Sequence, residues 1–228
     1  MKEAGHRNAW PGRTGSSVQG LLALTFVPCA LLLARFIYTR SLTYSHVLWN
    51  LMLAWAPLPL AWLATRRSPQ PAISRCLTGA GWLLFLPNAP YLITDLVHLR
   101  PTGQIPLLYD GVLLFSLGLA GLAVGITSVD WMERGVAGRL GQSMGRAFAL
   151  ASLAAAGFGV YVGRFLRWNS WDALIRPAAL ARELLGYAIH PIRHWQAWAT
   201  AGLFALLLVS AYLPMVSFTG RSDCDTPG

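Results

Sequence analysis

The first residues that could do chemistry follow two prolines inside an apolar stretch. Tyr91, Asp95 and His98 recur at positions i, i+4 and i+7, so a helix here would present a phenol, a carboxylate and an imidazole on one face. Asp95 and His98 have the side-chain types of metal ligands or of an acid and a base. The alternative is that the three side chains only mark the place where a membrane span meets water.

A second polar cluster follows another apolar stretch and combines guanidinium groups with aromatic rings. Its members are Arg164, Arg167, Trp168, Asn169 and Asp172. A guanidinium is a planar fork of donors that suits carboxylates and phosphates, so either arginine could pair with Asp95 or Asp172, or hold an anionic headgroup. The alternative is an aromatic belt with arginines that reach towards the lipid headgroups.

Asp110 lies at the start of the fourth apolar stretch of the chain, and a carboxylate inside a membrane span is by default a candidate for a functional site. It could counter one of the arginines, for which Arg35 at the end of an earlier stretch is available, or it could interact only with the dipole of its own helix. Asp110, and Asp172 of the second polar cluster, are candidate catalytic residues together with Asp95 and His98.

The composition indicates the class of protein that must position these groups. Of the 228 residues, 55% are hydrophobic and 12% are charged, and the mean hydropathy is +0.47. A soluble domain carries about twice that charged fraction, and a disordered chain is far less hydrophobic. These values predict a membrane protein. The net charge of +9 then favours anionic lipids as partners, and nucleic acid is not expected.

Six apolar stretches are long enough to cross a hydrocarbon core of about 30 Å as helices. They cover residues 18–34, 43–64, 76–94, 107–127, 147–163 and 197–217. We predict an all-α fold, a polytopic transmembrane helical bundle that forms a single domain over residues 18–217. Asp110 is the only charged residue in these windows. The segments that lie on the same side as the two termini carry slightly more Lys and Arg than the segments on the other side. This excess predicts that the leader 1–17 and the tail 218–228 are both cytoplasmic.

Pro87 and Pro90 lie in the third stretch, and each removes a backbone donor and clashes with the preceding turn. We expect the third span to break there, with Asn88 as a partner for the carbonyl groups that the break frees. Residues 174–190 keep one apolar stripe that charges interrupt, which predicts an interfacial helix rather than a seventh crossing. This helix could cover the outer face as a lid.

Small and polar residues offer contacts between the spans. Gly121-x-x-x-Gly125 and Gly159-x-x-x-Gly163 would let two backbones approach closely, and Asn50 would form a hydrogen bond between helices. In a chain with 22 glycines, the alternative is that both spacings are incidental.

No motif in the sequence indicates a cofactor. Glycine-rich nucleotide loops and a nucleophile elbow are absent. Cys29, Cys76 and Cys224 are scattered, so neither a disulfide framework nor a zinc knuckle is predicted. His190 and His194 are four residues apart, but a proline lies between them, which disfavours a metal site there. The cofactor therefore stays unknown.

Three strings resemble one known family. They are FLPNAPY with DLVH over residues 85–98, GRFLRWNSWD over residues 163–172, and WNL over residues 49–51. They resemble bacterial multi-pass membrane proteins that are grouped as domain of unknown function 1361, and the resemblance extends over most of residues 20–217. It implies a location in the bacterial inner membrane and no established activity.

Both polar clusters leave the membrane on the same side in the six-span arrangement, so we expect them to meet at the outer face. The preferred hypothesis is an envelope protein that binds a polar lipid or an envelope-derived group. Its ligand-binding residues would be Asn88, Tyr91, Arg164, Arg167, Trp168 and Asn169. One alternative is a membrane-embedded hydrolase or transferase that uses Asp95 and His98 as metal ligands or as acid and base. A second is a small-solute transporter, which the lack of an internal repeat disfavours. Whether the protein is an enzyme or a homo-oligomer stays open.

Overall fold

The computed structural model describes residues 10–66, 71–101 and 103–221. Most of the predicted leader, most of the predicted tail and Cys224 lie outside these ranges. The described chain is all-α, as predicted. Its elements are α1 (Trp10–Thr39), α2 (His46–Trp55), α3 (Pro57–Thr65), α4 (Ala72–Phe85), α5 (Asn88–Tyr91), a 3-10 segment (Leu92–His98), α6 (Leu107–Leu140), α7 (Gln142–Phe165), α8 (Asp172–Ile175), α9 (Pro177–Ile189) and α10 (Trp195–Arg221).

Six helical stretches among the described residues are long and apolar enough to cross a membrane, which confirms the predicted number. They are Ser17–Thr39, His46–Thr65, Ala72–His98, Leu107–Leu140, Gln142–Phe165 and Trp195–Met215. The chain is therefore a membrane protein built from transmembrane helices. Between the fifth and sixth stretches lie the short helix α8 and the helix α9, in the region predicted to be interfacial.

The third and fourth stretches extend beyond their predicted ends. The third continues to His98 and so contains Asp95, and the fourth continues to Leu140. These helices are therefore longer than the predicted windows and carry charged residues beyond them. Charged side chains continue the fourth helix because they find partners there: Glu133 accepts a hydrogen bond from Arg146 at 3.1 Å. With 34 residues α6 is about 51 Å long, well over the thickness of the hydrocarbon core.

The break in the third span occurs where the prolines predict it. Helix α4 ends at Phe85, and α5 begins at Asn88. The Asn88 amide donates to the carbonyl oxygen of Phe85 at 2.9 Å, so this side chain satisfies one of the carbonyls that the break frees. The regular hydrogen bonding of the second span is also interrupted between Trp55 and Pro57, although Ala56 keeps helical backbone angles; this interruption was not predicted from the sequence.

The four glycines of the two G-x-x-x-G patterns all face the broken part of the third span. They are Gly121, Gly125, Gly159 and Gly163. A Cβ added at Gly125 would lie 3.0 Å from the Cβ of Ala89, one added at Gly159 would overlap the ring of Pro87, and one added at Gly163 would lie 3.5 Å from the ring of Tyr91. The predicted close approach is thus confirmed, and it allows α6 and α7 to hold the broken segment between them.

Candidate functional site

The end of the third span determines how its polar side chains are presented. Leu92–His98 is a 3-10 segment, not the α-helix expected from the sequence. A 3-10 helix has three residues per turn, so Asp95 and His98 lie one above the other on the same side of it. They lie at one end of the bundle, which we call the polar end and which also contains Arg35, Asp110 and Arg164.

Asp95 is a buried carboxylate with one partnered oxygen. It is 1% exposed, and its Oδ2 accepts a hydrogen bond from Nδ2 of Asn50 in α2 at 3.1 Å. Its Oδ1 is buried and has no hydrogen-bond partner among the described residues. The Nη1 atom of Arg164 lies 3.9 Å from this oxygen, which is close enough for electrostatic attraction and too far for a hydrogen bond.

Arg164, in the last turn of α7, connects that helix to the third span. Its Nη1 donates to the Tyr91 hydroxyl at 3.4 Å, and Nη1 and Nη2 each lie 3.2 Å from Nε2 of His98. A guanidinium has donors and no acceptor, so Nε2 must accept, and His98 is then neutral with its proton on Nδ1. The arrangement brings the two polar clusters of the sequence together.

His46, which was not among the residues predicted from the sequence, completes this group. One ligand atom from each of His46, Asp95 and His98 lies within 4.8 Å of the other two. The rings of His46 and His98 meet edge to face, with their centroids 5.3 Å apart. We call His46, Asn50, Asp95, His98 and Arg164 the ion cluster. The position of His46 at this end of the bundle could have been predicted from the sequence, because the second span must begin at the end where the first span finishes.

Asp110 belongs to a separate ion pair with Arg35. Nε and Nη2 of Arg35 donate to the two oxygens of Asp110 at 2.8 and 3.2 Å, so the arginine that counters Asp110 is on α1. The Arg35 guanidinium also lies over the ring of Tyr44, with Cζ 4.8 Å from the centroid. The Tyr44 hydroxyl donates to the carbonyl oxygen of His98 at 3.2 Å. Tyr44 therefore connects the ion pair to the ion cluster.

The phenol of Tyr44 lies in the short connection between the first two spans. Burial, followed by the negative charge of Asp110, raises its pKa above the ordinary value, although the Arg35 guanidinium acts in the opposite direction. The phenol is consequently protonated around neutral pH and acts as a hydrogen-bond donor.

A cavity of about 270 Å³ lies beside the ion cluster, between α2, α4, α5, α7 and the segment after α7. Its apolar wall includes Trp49, Leu83, Phe158, Trp168, Leu180 and Leu184. Its polar groups are Asn50, Asn88, Tyr91, Asn169 and Ser170. Asn50 and Tyr91 also contact members of the ion cluster, so the cavity and the cluster adjoin each other.

The segment after α7 is fixed over this cavity by hydrogen bonds. Nε1 of Trp168 donates to Glu183 of α9 at 2.7 Å, and the Asn88 amide donates to Ser170 at 2.8 Å. Asp172 accepts from the backbone and the side chain of Asn169, at 2.8 and 3.3 Å. These contacts position Trp168 in the cavity wall. Asp172 forms its hydrogen bonds with Asn169, three residues earlier in the same turn.

The structure thus brings together some of the predicted residues and separates others. Tyr91, Asp95, His98 and Arg164 come together, whereas Asp110 is paired with Arg35 and Asp172 with Asn169. Arg167 is exposed, and Arg164 is the arginine beside Asp95. Asn88, Trp168 and Asn169 line the cavity. His194 packs against the ring of Tyr187, with a centroid distance of 4.1 Å.

The fold and this site define a class: a helical membrane protein in which a buried carboxylate, two imidazoles and a guanidinium meet beside an apolar cavity. The chain belongs to the family described as Protein of unknown function (DUF1361), whose model matches residues 49–211, more than half of the chain. The matched range contains Asn50, Asp95, His98 and Arg164 and begins after His46. No curated protein and no solved structure matches the chain.

Proposed function

We propose that this protein binds an amphiphile with an anionic headgroup at the polar end of the bundle. The apolar part of the ligand would occupy the cavity, and its headgroup would meet Arg164. The observation that carries this proposal is that Asn50 and Tyr91 both line the cavity and also form hydrogen bonds with charged residues of the ion cluster, Asn50 with Asp95 and Tyr91 with Arg164. A ligand in the cavity would therefore have its polar end beside a guanidinium.

The composition of the cavity wall favours a lipid over a polar solute. Ligand sites are typically apolar clefts of about 300 to 1,000 Å³ with a few polar groups that fix orientation, and this cavity lies just below that range. It would hold a segment of an acyl chain or a comparable apolar group. Its amide groups, Asn50 and Asn88, would orient the glycerol or sugar part of such a ligand.

Arg164 supplies the charge that recognises the headgroup. Its side chain is 19% exposed, so it can be reached from outside while its hydrogen bonds to Tyr91 and His98 restrict its orientation. A preorganised guanidinium is well suited to a phosphate or carboxylate. Arg167 and Asn169, both exposed at the same end, would contribute to the rim of the site.

Helix α9 would cover the bound ligand. Leu180 and Leu184 of this helix line the cavity, whereas Arg182 is exposed. This is the distribution expected of an amphipathic helix that lies on a membrane surface. The hydrogen bond from Trp168 to Glu183 would hold α9 over the cavity.

We further propose that the protein is a multi-pass protein of the bacterial inner membrane with both termini in the cytoplasm. An even number of crossings places both termini on the same side, and the family resemblance suggests the bacterial membrane. Reporter fusions after Leu99 and after Gly141 test the orientation: the first should report the periplasm and the second the cytoplasm. The opposite result would place the polar end in the cytoplasm. Oligomerisation and solute transport stay predictions.

The lipid proposal is tested by native mass spectrometry of the protein in detergent with added phosphatidylglycerol or phosphatidylcholine of the same chain length. We expect Arg164→Gln to lower retention of phosphatidylglycerol by about tenfold or more, because a hydrogen bond to a charged group is worth about 1.5 to 3 kcal/mol. Arg182→Gln is the matched control, since it removes an exposed arginine from the same end of the bundle. If Arg164→Gln and Arg182→Gln retain phosphatidylglycerol equally well, or lose it to the same extent, the proposal is contradicted.

A second pair of variants tests the cavity. Both Ala154 and Ala155 of α7 are exposed, and Ala155 lines the cavity whereas Ala154 does not. We expect Ala155→Phe to reduce retention of the long-chain lipid and leave binding of soluble glycerol phosphate unchanged, and Ala154→Phe to change neither. If Ala155→Phe has no effect on the lipid, the apolar part does not bind in this cavity.

A further inference from the structure

We infer that His46, Asp95 and His98 form a binding site for a divalent transition-metal ion, with Zn²⁺ the best match to the ligand types. The three side chains come from two spans, His46 from the start of the second and the other two from the end of the third. Their ligand atoms lie within 4.8 Å of one another. This site does not depend on the proposed amphiphile and can be tested without it.

The unpartnered oxygen of Asp95 is the independent observation that indicates a cation. Asp95 is 1% exposed, and its Oδ1 has no hydrogen-bond partner among the described residues. Burying a carboxylate oxygen without a partner is costly, and buried charges in proteins are normally paired or bound to a metal. The guanidinium of Arg164, 3.9 Å from Oδ1, is too far away to donate a hydrogen bond to this oxygen.

Neighbouring residues orient the ligands as the surroundings of a metal site do. Asn50 donates a hydrogen bond to Oδ2 of Asp95, and this bond fixes the orientation of the carboxylate. Tyr44 donates to the backbone carbonyl of His98 and fixes the end of the 3-10 segment. Hydrogen bonds of this kind hold ligating groups in place and typically account for about 10- to 100-fold in metal affinity.

The ligand types select the class of ion. Two imidazoles and one carboxylate suit Zn²⁺ and related transition metals, whereas Mg²⁺ and Ca²⁺ prefer oxygen ligands. Ligands of tetrahedral zinc at bond lengths of about 2.0 to 2.1 Å lie about 3.4 Å apart, so the site must contract to bind the ion. The exposed ring of His46 can rotate to achieve this. Three protein ligands leave a fourth position for water or an anionic oxygen.

Arg164 should oppose metal binding. It donates to Nε2 of His98 and brings a positive charge within 3.9 Å of Asp95. Removing this charge and this hydrogen bond should therefore raise the affinity for Zn²⁺. Arg164→Gln is expected to have opposite effects on the two ligands, with weaker retention of an anionic lipid and tighter binding of the metal, so the two proposals can fail separately.

The test is equilibrium dialysis of the chelator-treated full chain against Zn²⁺ alone, with metal content measured by mass spectrometry. We expect one Zn²⁺ per chain, a loss of about 100-fold or more in affinity in His46→Ala and Asp95→Asn, and a gain of about tenfold in Arg164→Gln. His194→Ala is the matched control, because it removes a histidine from the same end of the bundle and should bind Zn²⁺ like the wild type. Circular dichroism and gel filtration check that each variant is folded.

His46→Cys keeps the proposal falsifiable if Asp95→Asn does not fold, because His46 is exposed and its replacement should be tolerated. With Co²⁺ alone, this variant should develop a thiolate-to-cobalt charge-transfer band that the wild type lacks. Absence of the band, no stoichiometric Zn²⁺ binding in the wild type, wild-type affinity in His46→Ala, or an equal loss in His194→Ala would each overturn the assignment.

Discussion

Arg35 and Asp110 form a bidentate ion pair in the interior of the bundle, with their side chains 0% and 1% exposed. The pair joins α1 to the start of α6, the helix with the largest buried share, 67% of its apolar window. Nη1 of Arg35 is buried and has no hydrogen-bond partner among the described residues, and the Tyr44 ring covers the guanidinium. Each charge therefore depends on the other for compensation.

Removing one member of this pair should destabilise the protein more than removing both. Arg35→Met leaves Asp110 as an uncompensated buried carboxylate, which should lower the free energy of unfolding by about 3 to 5 kcal/mol. Arg35→Met combined with Asp110→Leu should recover most of this loss. The measurement is equilibrium unfolding of each variant in mild detergent with added sodium dodecyl sulfate.

Arg134 supplies the control for that cycle. It pairs with Asp130 on α6 at 3.0 Å, and its side chain is 33% exposed. The Asp130 side chain is 9% exposed, but the Arg134 end of the pair is open to solvent, so Arg134→Gln should lower the free energy of unfolding by less than Arg35→Met does. If the double variant at positions 35 and 110 is as unstable as the sum of its single variants, the two residues are not energetically coupled.

The packing of α7 on the broken third span predicts a strong effect of one methyl group. A Cβ at Gly159 would overlap the ring of Pro87, so Gly159→Ala should cost about 1 to 3 kcal/mol in unfolding free energy. Gly202→Ala is the matched control in α10, since no atom lies within 4 Å of the added Cβ. It should be neutral or stabilising by up to about 1 kcal/mol. Similar effects of the two variants would show that Gly159 does not form this close contact.

Tyr44 predicts a difference in alkaline stability. Tyr44→Phe keeps the ring over Arg35 and loses the hydrogen bond to the His98 carbonyl, which should cost about 1 kcal/mol. Because burial raises the pKa of Tyr44, the folded state binds its proton more tightly than the unfolded state does. The phenol thus contributes stability that is complete below its ordinary pKa of about 10 and is lost as the pH rises above it. Unfolding at about pH 8 and about pH 11 should show a smaller alkaline decrease for the phenylalanine variant; an identical decrease would contradict this role.

The bond from Trp168 to Glu183 should control the accessibility of α9. Glu183→Ala removes the acceptor of a 2.7 Å hydrogen bond, and bonds to charged groups contribute about 1.5 to 3 kcal/mol. Trypsin should then cleave after Arg182 about tenfold faster or more, as followed by mass spectrometry of the fragments. Glu183→Gln keeps an acceptor oxygen and should give an intermediate rate. If all three proteins are cleaved equally fast, this bond does not hold the helix.

The number of spans, the break at Pro87 and the two polar clusters could all be predicted from the sequence. The hydrocarbon core requires about 20 apolar residues for each crossing, so the spans are visible as runs of residue types. Proline acts on its own helix, so the break is equally local. The convergence of Asp95 and Arg164 followed from counting crossings.

Other features of the site depend on contacts between distant parts of the chain. The sequence offered Arg35 as one of several possible partners of Asp110 without selecting it, and it did not identify Asn50 as the donor to Asp95 or His46 as a neighbour of His98. These pairs depend on the rotation of each helix about its axis, which the packing of neighbouring helices determines. The continuation of α6 through Glu133 has the same origin, because its partner Arg146 comes from the next helix. The sequence by itself thus determined where the chain crosses and where it must bend, since lipid acts on each segment separately. Only the tertiary structure decided which charges meet, because an ion pair needs two side chains within a few ångströms of each other.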